Sequence, residues 1–170
     1  MRQTRKDWWH IVAEERQWLV LGMSYGEVPF EARVAALKDL EGRFLREART
    51  PAERQHLMRL TAEDVLIEAF SHRRPWKDFA PWLRRLKRLG FSNLWSRHQI
   101  AGIYVKSLLS FPERARDAYA MLADAERRVL RRRKSLHSRQ QMLDSIANAR
   151  REAAGHGILP VMQRSGSKSR

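Results

Sequence analysis

The chain has 170 residues, 43% of them apolar, no cysteine, and a net charge of +15 from 34 basic and 19 acidic side chains. That length suits one domain with short tails, and the missing cysteines exclude disulfides and thiolate metal sites and fit a reducing compartment. The opening MRQTRKDWWH has no apolar segment behind its basic residues, and the longest apolar stretch, about residues 18–23, is too short to cross a bilayer. A cytoplasmic location without membrane contact is therefore expected.

Steps of three and four between apolar residues dominate the sequence and strand-like alternation is nearly absent, which predicts an all-α fold. The first helix is expected over about residues 6–21, with Thr4 as cap, Gly22 as stop, and Trp8, Ile11, Val12, Trp18 and Leu19 inward. The second starts at Pro29 and turns Phe30, Val34, Leu37, Leu40, Phe44 and Leu45 to the core. Thr50, Pro51 and Glu53 form a capping box for the third. It carries Leu57, Leu60, Val65, Leu66, Ala69 and Phe70 as one long helix, or as two with a second start at Thr61. The break SHRRPW follows.

The fourth helix covers about residues 77–89, with Trp82, Leu83, Leu86 and Leu89 inward, and Gly90 ends it. Ser92 or Asn93 caps the fifth, which runs to about residue 109 with Leu94, Trp95, Ile100, Ile103, Tyr104 and Leu108 as its apolar residues. Pro112 opens the sixth, to about residue 134, on the stripe Ala115, Ala118, Tyr119, Leu122, Ala125, Val129 and Leu130. The seventh spans about residues 138–154, with Met142, Leu143, Ile146 and Ala149 inward and Gly155 after it. The sixth and seventh should form an antiparallel hairpin. Together these elements predict a compact bundle or short array of antiparallel helix pairs, six to seven helices in a single domain over 1–155. A basic tail over 156–170 follows, where Ile158 and its apolar neighbours dock before the chain frays.

The charge is uneven. Residues 1–50 hold 9 basic and 8 acidic side chains, 51–100 hold 10 and 5, 101–150 hold 11 and 5, and 151–170 hold 4 and 1. The excess after residue 50 predicts a polyanion-binding or acid-seeking surface. The residues expected to contact nucleic acid or an acidic protein are Arg73, Arg74, Arg84, Arg85, Lys87, Arg88, Arg127, Arg128, Arg131, Arg132, Arg133 and Lys134. Cations at a helix C-terminus also suit the helix dipole, so part of the last run is an ordinary helix end. Most tryptophans fall at core spacing. Trp9 and Trp76 lie off the main stripes and are the candidates for stacking on a base or clamping a partner.

Residues 76–134 resemble tetratricopeptide-like repeats in setting Ala101, Tyr104, Ala115, Tyr119 and Leu122 across a helix pair. The resemblance implies a helical scaffold whose groove takes a peptide or protein. A plain antiparallel pair with small residues at its contact gives the same pattern. Residues 82–105 are similar to a DNA-binding helix-turn-helix at Leu86, Leu89, Gly90 and Phe91, but Ser96 and Gln99 stand where a recognition helix needs apolar packing. Arg132 and His137 have the arginine–histidine spacing of all-α ribonucleases of the HEPN type, as do Arg5 with His10, Arg49 with His56 and Arg151 with His156. A chain this rich in arginine produces such pairs by chance.

No glycine-rich phosphate loop, HExxH or histidine–carboxylate cluster is present, so no cofactor, metal or catalytic residue is implied. The sequence thus favours binding over catalysis. Nucleic acid held without base reading is the first expectation, an acidic protein partner the second, and a HEPN-like nuclease the third.

Overall fold

The computed structural model describes residues 5–24, 28–131 and 136–158, and among them there are helices and no strand. The chain falls into two compact units, Met1–Ser92 and Asn93–Arg170. No helix among the described residues is long and apolar enough to cross a membrane.

The first unit is built from α1 (Arg5–Ser24), α2 (Phe30–Glu47), α3 (Pro51–Ser71) and α4 (Trp76–Leu89). α1 packs on α2, α2 on α3, and α3 on α4. One core cluster joins Trp8, Val12, Leu40, Phe44, Ala48 and Leu57, with Trp9, Ile11, Leu19 and Leu45 at its margin. Burying each large apolar side chain contributes about 1.5–3 kcal/mol, and this burial, more than helix propensity, holds short helices together. The Trp8 indole N–H donates to Glu47 at 2.8 Å, so its polar edge is satisfied inside the cluster.

Local signals mark several boundaries. Thr50 and Glu53 make the reciprocal capping box: the Thr50 hydroxyl accepts from the Glu53 amide at 3.2 Å, and the Glu53 carboxylate accepts from the Thr50 amide at 3.0 Å. α3 is one helix, because Thr61 turns its hydroxyl back to the Leu57 carbonyl at 3.2 Å instead of capping a new start. It ends in a Schellman turn, with Arg73 N–H on the Phe70 carbonyl and Arg74 N–H on the Ala69 carbonyl, both 2.9 Å. The left-handed position of that turn belongs to Arg73, at φ 49°, where glycine is the usual residue.

Two glycines expected as stops are not. Gly22 lies inside α1, and Gly155 is still helical as the last residue of α7 (Leu136–Gly155). The chain leaves α7 at Gly157, whose φ of 75° makes the left-handed turn.

The buried faces hold charge that apolar spacing did not anticipate. On α2 the buried residues are Phe30, Arg33, Leu37, Leu40 and Phe44. Arg33 takes the place expected for Val34, which is half-buried. On α3 the six successive residues Thr61–Leu66 are buried, so every side of that stretch is covered. Its acids are matched individually. Glu68 pairs with Arg33 at 3.0 Å, Asp64 with Arg16 through two hydrogen bonds, and Glu63 with the Ser92 amide at 2.8 Å and hydroxyl at 2.7 Å. Burial raises the Asp64 carboxyl above its ordinary range, against the pull of Arg16.

The second unit contains α5 (Leu94–Lys106), a 3₁₀ turn at Ser107–Leu109, another at Pro112–Arg114, α6 (Ala115–Arg131) and α7. Asn93 caps α5 by accepting the Ser96 amide at 2.9 Å. α5 packs on both α6 and α7. Small residues allow the close approach to α7: a Cβ on Gly102 would stand 3.6 Å from the Ala149 Cβ. α6 buries Ala115, Ala118, Leu122, Ala125 and Val129, the expected stripe, while Leu130 is exposed. α7 buries Met142, Ile146, Ala149 and Ala153.

Two contacts show that α6 and α7 are antiparallel. Glu126 meets Arg150, and Tyr119, seven residues earlier, donates to the Ile158 carbonyl, eight residues later. The Ile158 carbonyl is thereby held, while Leu159 and the chain beyond it lie outside the described residues, as does Thr4. Burial, and then Asp117, which accepts the phenol hydrogen bond at 2.9 Å, hold Tyr104 well above its ordinary pKa.

Candidate nucleic-acid interface

Four residues on one face of α4, Pro81, Arg84, Arg85 and Arg88, line an open groove with Trp82; Lys38 of α2 and Met58 of α3 complete it. The spacing 81, 84, 85, 88 is that of one helix side. The α4 end is pinned to α3, because Arg59 donates to the Leu89 carbonyl at 2.7 Å. Gly90 then breaks the helix at φ 80°. The groove encloses about 630 Å³, within the range of roughly 300–1,000 Å³ typical of ligand clefts.

Its charges are unequal. Arg85 donates to Glu41 at 2.5 Å and stands 5.5 Å from the Trp82 ring centre. Its charge is therefore largely spent inside the protein. That pair is half-satisfied, because the Glu41 Oε2 and Arg85 Nε atoms are buried without a hydrogen-bond partner. Lys38, Arg84 and Arg88 are exposed and have no carboxylate partner among the described residues. The Lys38 ammonium lies over the same indole, 5.5 Å from its centre. Trp82 is half-buried on this groove rather than enclosed in the core, as its spacing had suggested.

The remaining expected cations are dispersed. Lys87 is exposed and does not line the groove. Arg74 is engaged by Asp78 at 2.8 Å and Glu31 at 2.6 Å and lies 4.7 Å over Phe30. Arg73 is exposed on its turn.

In the second unit, Asp124 gathers three guanidinium groups: Arg97 at 2.6 Å, Arg128 at 2.9 Å and Arg127 at 3.8 Å. Burial alone would raise Asp124, but Arg128 and Arg97 outweigh it and lower its pKa. Arg127 and Arg128 are exposed beside this one anion, and exposed Arg131 follows on the same helix. Arg132, Arg133 and Lys134 lie outside the described residues. So does the Arg132–His137 pairing; His137 itself is exposed in the first turn of α7.

The tryptophans redistribute as well. Trp9 is half-buried, edge-on to Trp8 at 4.7 Å and to His56 at 5.0 Å. Trp76 is half-buried at the start of α4. The exposed indoles are Trp18, at 67%, and Trp95, at 43%, both expected inward. His56 is held below its ordinary pKa by burial and then by Arg59 and Arg16. Among the described residues no group of histidines and carboxylates is arranged to hold a metal.

Sequence spacing named Arg84, Arg85 and Arg88 but missed Lys38, Met58 and Arg97. Each of these reaches its place only through contact between helices distant in sequence. No protein-family model matches the chain, and comparison with curated proteins and with solved structures finds no match.

Proposed function

We propose that this protein binds nucleic acid in a sequence-tolerant way, with the α4 groove as its principal contact. One observation carries the reading: Lys38, Arg84 and Arg88 stand around an accessible indole without a carboxylate partner among the described residues. Guanidinium and ammonium groups there neutralise phosphates and release counterions, and they do so whatever the base sequence. The arginine fan on Asp124 supplies a second basic patch of the same chemistry.

The test is a binding isotherm on labelled oligonucleotides at two salt concentrations. Three phosphate contacts predict a log–log salt slope of about −2 to −3. Arg84→Gln with Arg88→Gln should reduce that slope by about 1.4–1.8. Absence of binding at low salt removes the proposal.

A second reading, docking of an acidic protein, draws on exposed Trp18 and Trp95, since aromatic and arginine side chains are the usual anchors of interfaces. A partner retained from nuclease-treated lysate and lost on Trp95→Ala would favour it.

A further inference from the structure

We infer that the α4 groove takes single-stranded rather than duplex nucleic acid, with one unstacked base on Trp82 and the flanking phosphates on Lys38, Arg84 and Arg88. This rests on the nucleic-acid reading of the same groove and narrows it to a substrate class.

The argument starts from the two chemistries that line the groove. Its cations suit phosphates, and so do those of any basic surface. Trp82 and Met58 are different: an indole and a thioether, both half-buried, supply an apolar surface that a phosphate has no use for. A nucleotide has both parts, an anion and a flat aromatic ring. In a duplex the base faces are covered by their neighbours, and only edges and backbone are offered. A strand whose bases swing out offers the face that an indole stacks on, whichever base it is.

The cation already over the ring supports this. Lys38 is exposed, has no carboxylate partner among the described residues, and holds its ammonium above the indole. The other cation near that ring, Arg85, is tied to Glu41 and stays. An arriving base therefore takes the place of Lys38 at the ring, and the freed ammonium moves to the adjacent phosphate. The attraction that Lys38 gives up at the ring is replaced by a charge-assisted contact. A groove of about 630 Å³ has room for a base and its flanking phosphates.

The experiment compares oligothymidylate and oligouridylate with a DNA duplex of equal length, by fluorescence anisotropy at low and moderate salt. Wild-type protein should bind either single strand at least ten-fold more tightly than the duplex. Trp82→Leu should weaken single-strand binding by about 5- to 150-fold, the range of one base–aromatic stack, without changing the salt slope. Trp82→Phe should recover most of the loss. Arg84→Gln with Arg88→Gln should lower the slope on both substrates.

A helix melt checks that the variants fold. Independently of any variant, 2-aminopurine within the single strand should lose emission on binding wild-type protein. Duplex affinity equal to single-strand affinity, unchanged binding by folded Trp82→Leu, or unchanged 2-aminopurine emission each overturns the inference while the broader reading survives. Poly-glutamate competing as well as the single strand would overturn it in favour of an acidic protein. If neither nucleic acid binds at low salt, the inference and the reading beneath it fall together.

Discussion

The pair Arg33–Glu68 offers a quantitative check on how the first unit is held together. The two side chains are 8% and 6% exposed, with Nη1 and Oε2 3.0 Å apart. At that separation and an effective dielectric constant of 20, the attraction is about 5.5 kcal/mol, and the desolvation of two ions, several kcal/mol each, cancels most of it. The intact pair therefore adds little net stability, yet removing one member leaves a buried charge unanswered, at about 3–5 kcal/mol.

The surroundings rank the two single variants. Without Arg33, Glu68 keeps His72 at 3.8 Å, so Arg33→Met should fall at the lower end. Without Glu68, Arg33 keeps the neutral Val28 carbonyl at 2.8 Å but loses its buried counter-ion, so Glu68→Leu should fall at the upper end. The double variant should return to within about 1 kcal/mol of wild type, because two apolar side chains replace two ions. Urea unfolding followed by tryptophan emission measures this directly, since five of the six tryptophans lie in Met1–Ser92. A Glu68→Leu cost under about 1 kcal/mol, or a double variant that loses the sum of the singles, would refute the argument.

Arg73→Gly should raise stability by about 0.5–1 kcal/mol, because glycine occupies the left-handed conformation of that turn without a Cβ clash; a lower midpoint in thermal melts would contradict it. His56 is a base held below its ordinary pKa, so the unfolded chain binds its proton first. The stability it contributes is fully present above about pH 6.5 and is lost as pH falls toward its folded value. His56→Gln should remove that limb from a plot of unfolding free energy against pH, and a limb that persists would assign it to another group.

Much of the helical layout was legible because amphipathic spacing and capping chemistry are local. Ala118, Leu122, Ala125 and Val129 declare the buried side of α6 by their steps alone, and Thr50 with Glu53 declares the start of α3. What escaped is what depends on a distant partner. Arg33 is buried because Glu68 waits 35 residues away, and nothing near Arg33 in sequence says so. Trp18 and Trp95 fit an inward stripe by spacing, but α1 and α5 turn those positions outward. Gly22 and Gly155 looked like ends because glycine permits a left-handed turn, yet a helix also tolerates it; only the chain's path selects Gly157.

The groove shows the same division. Its arginines were visible as a run, whereas the loss of Arg85 to Glu41, and the arrival of Lys38 and Met58, required the folded neighbours.

Pro81, inside α4, has a dynamic consequence. Lacking an N–H, it leaves the Lys77 carbonyl without its partner one turn on, a missing rung between the opening of the helix and its body. Transient unzipping of residues 76–80 therefore meets less resistance than unzipping from the other end, and amide protons there should exchange with solvent ahead of those at 83–89. Trp82, Arg84, Arg85 and Arg88 all lie beyond the weak rung, so the front of the helix can breathe while these four residues keep their places in the groove.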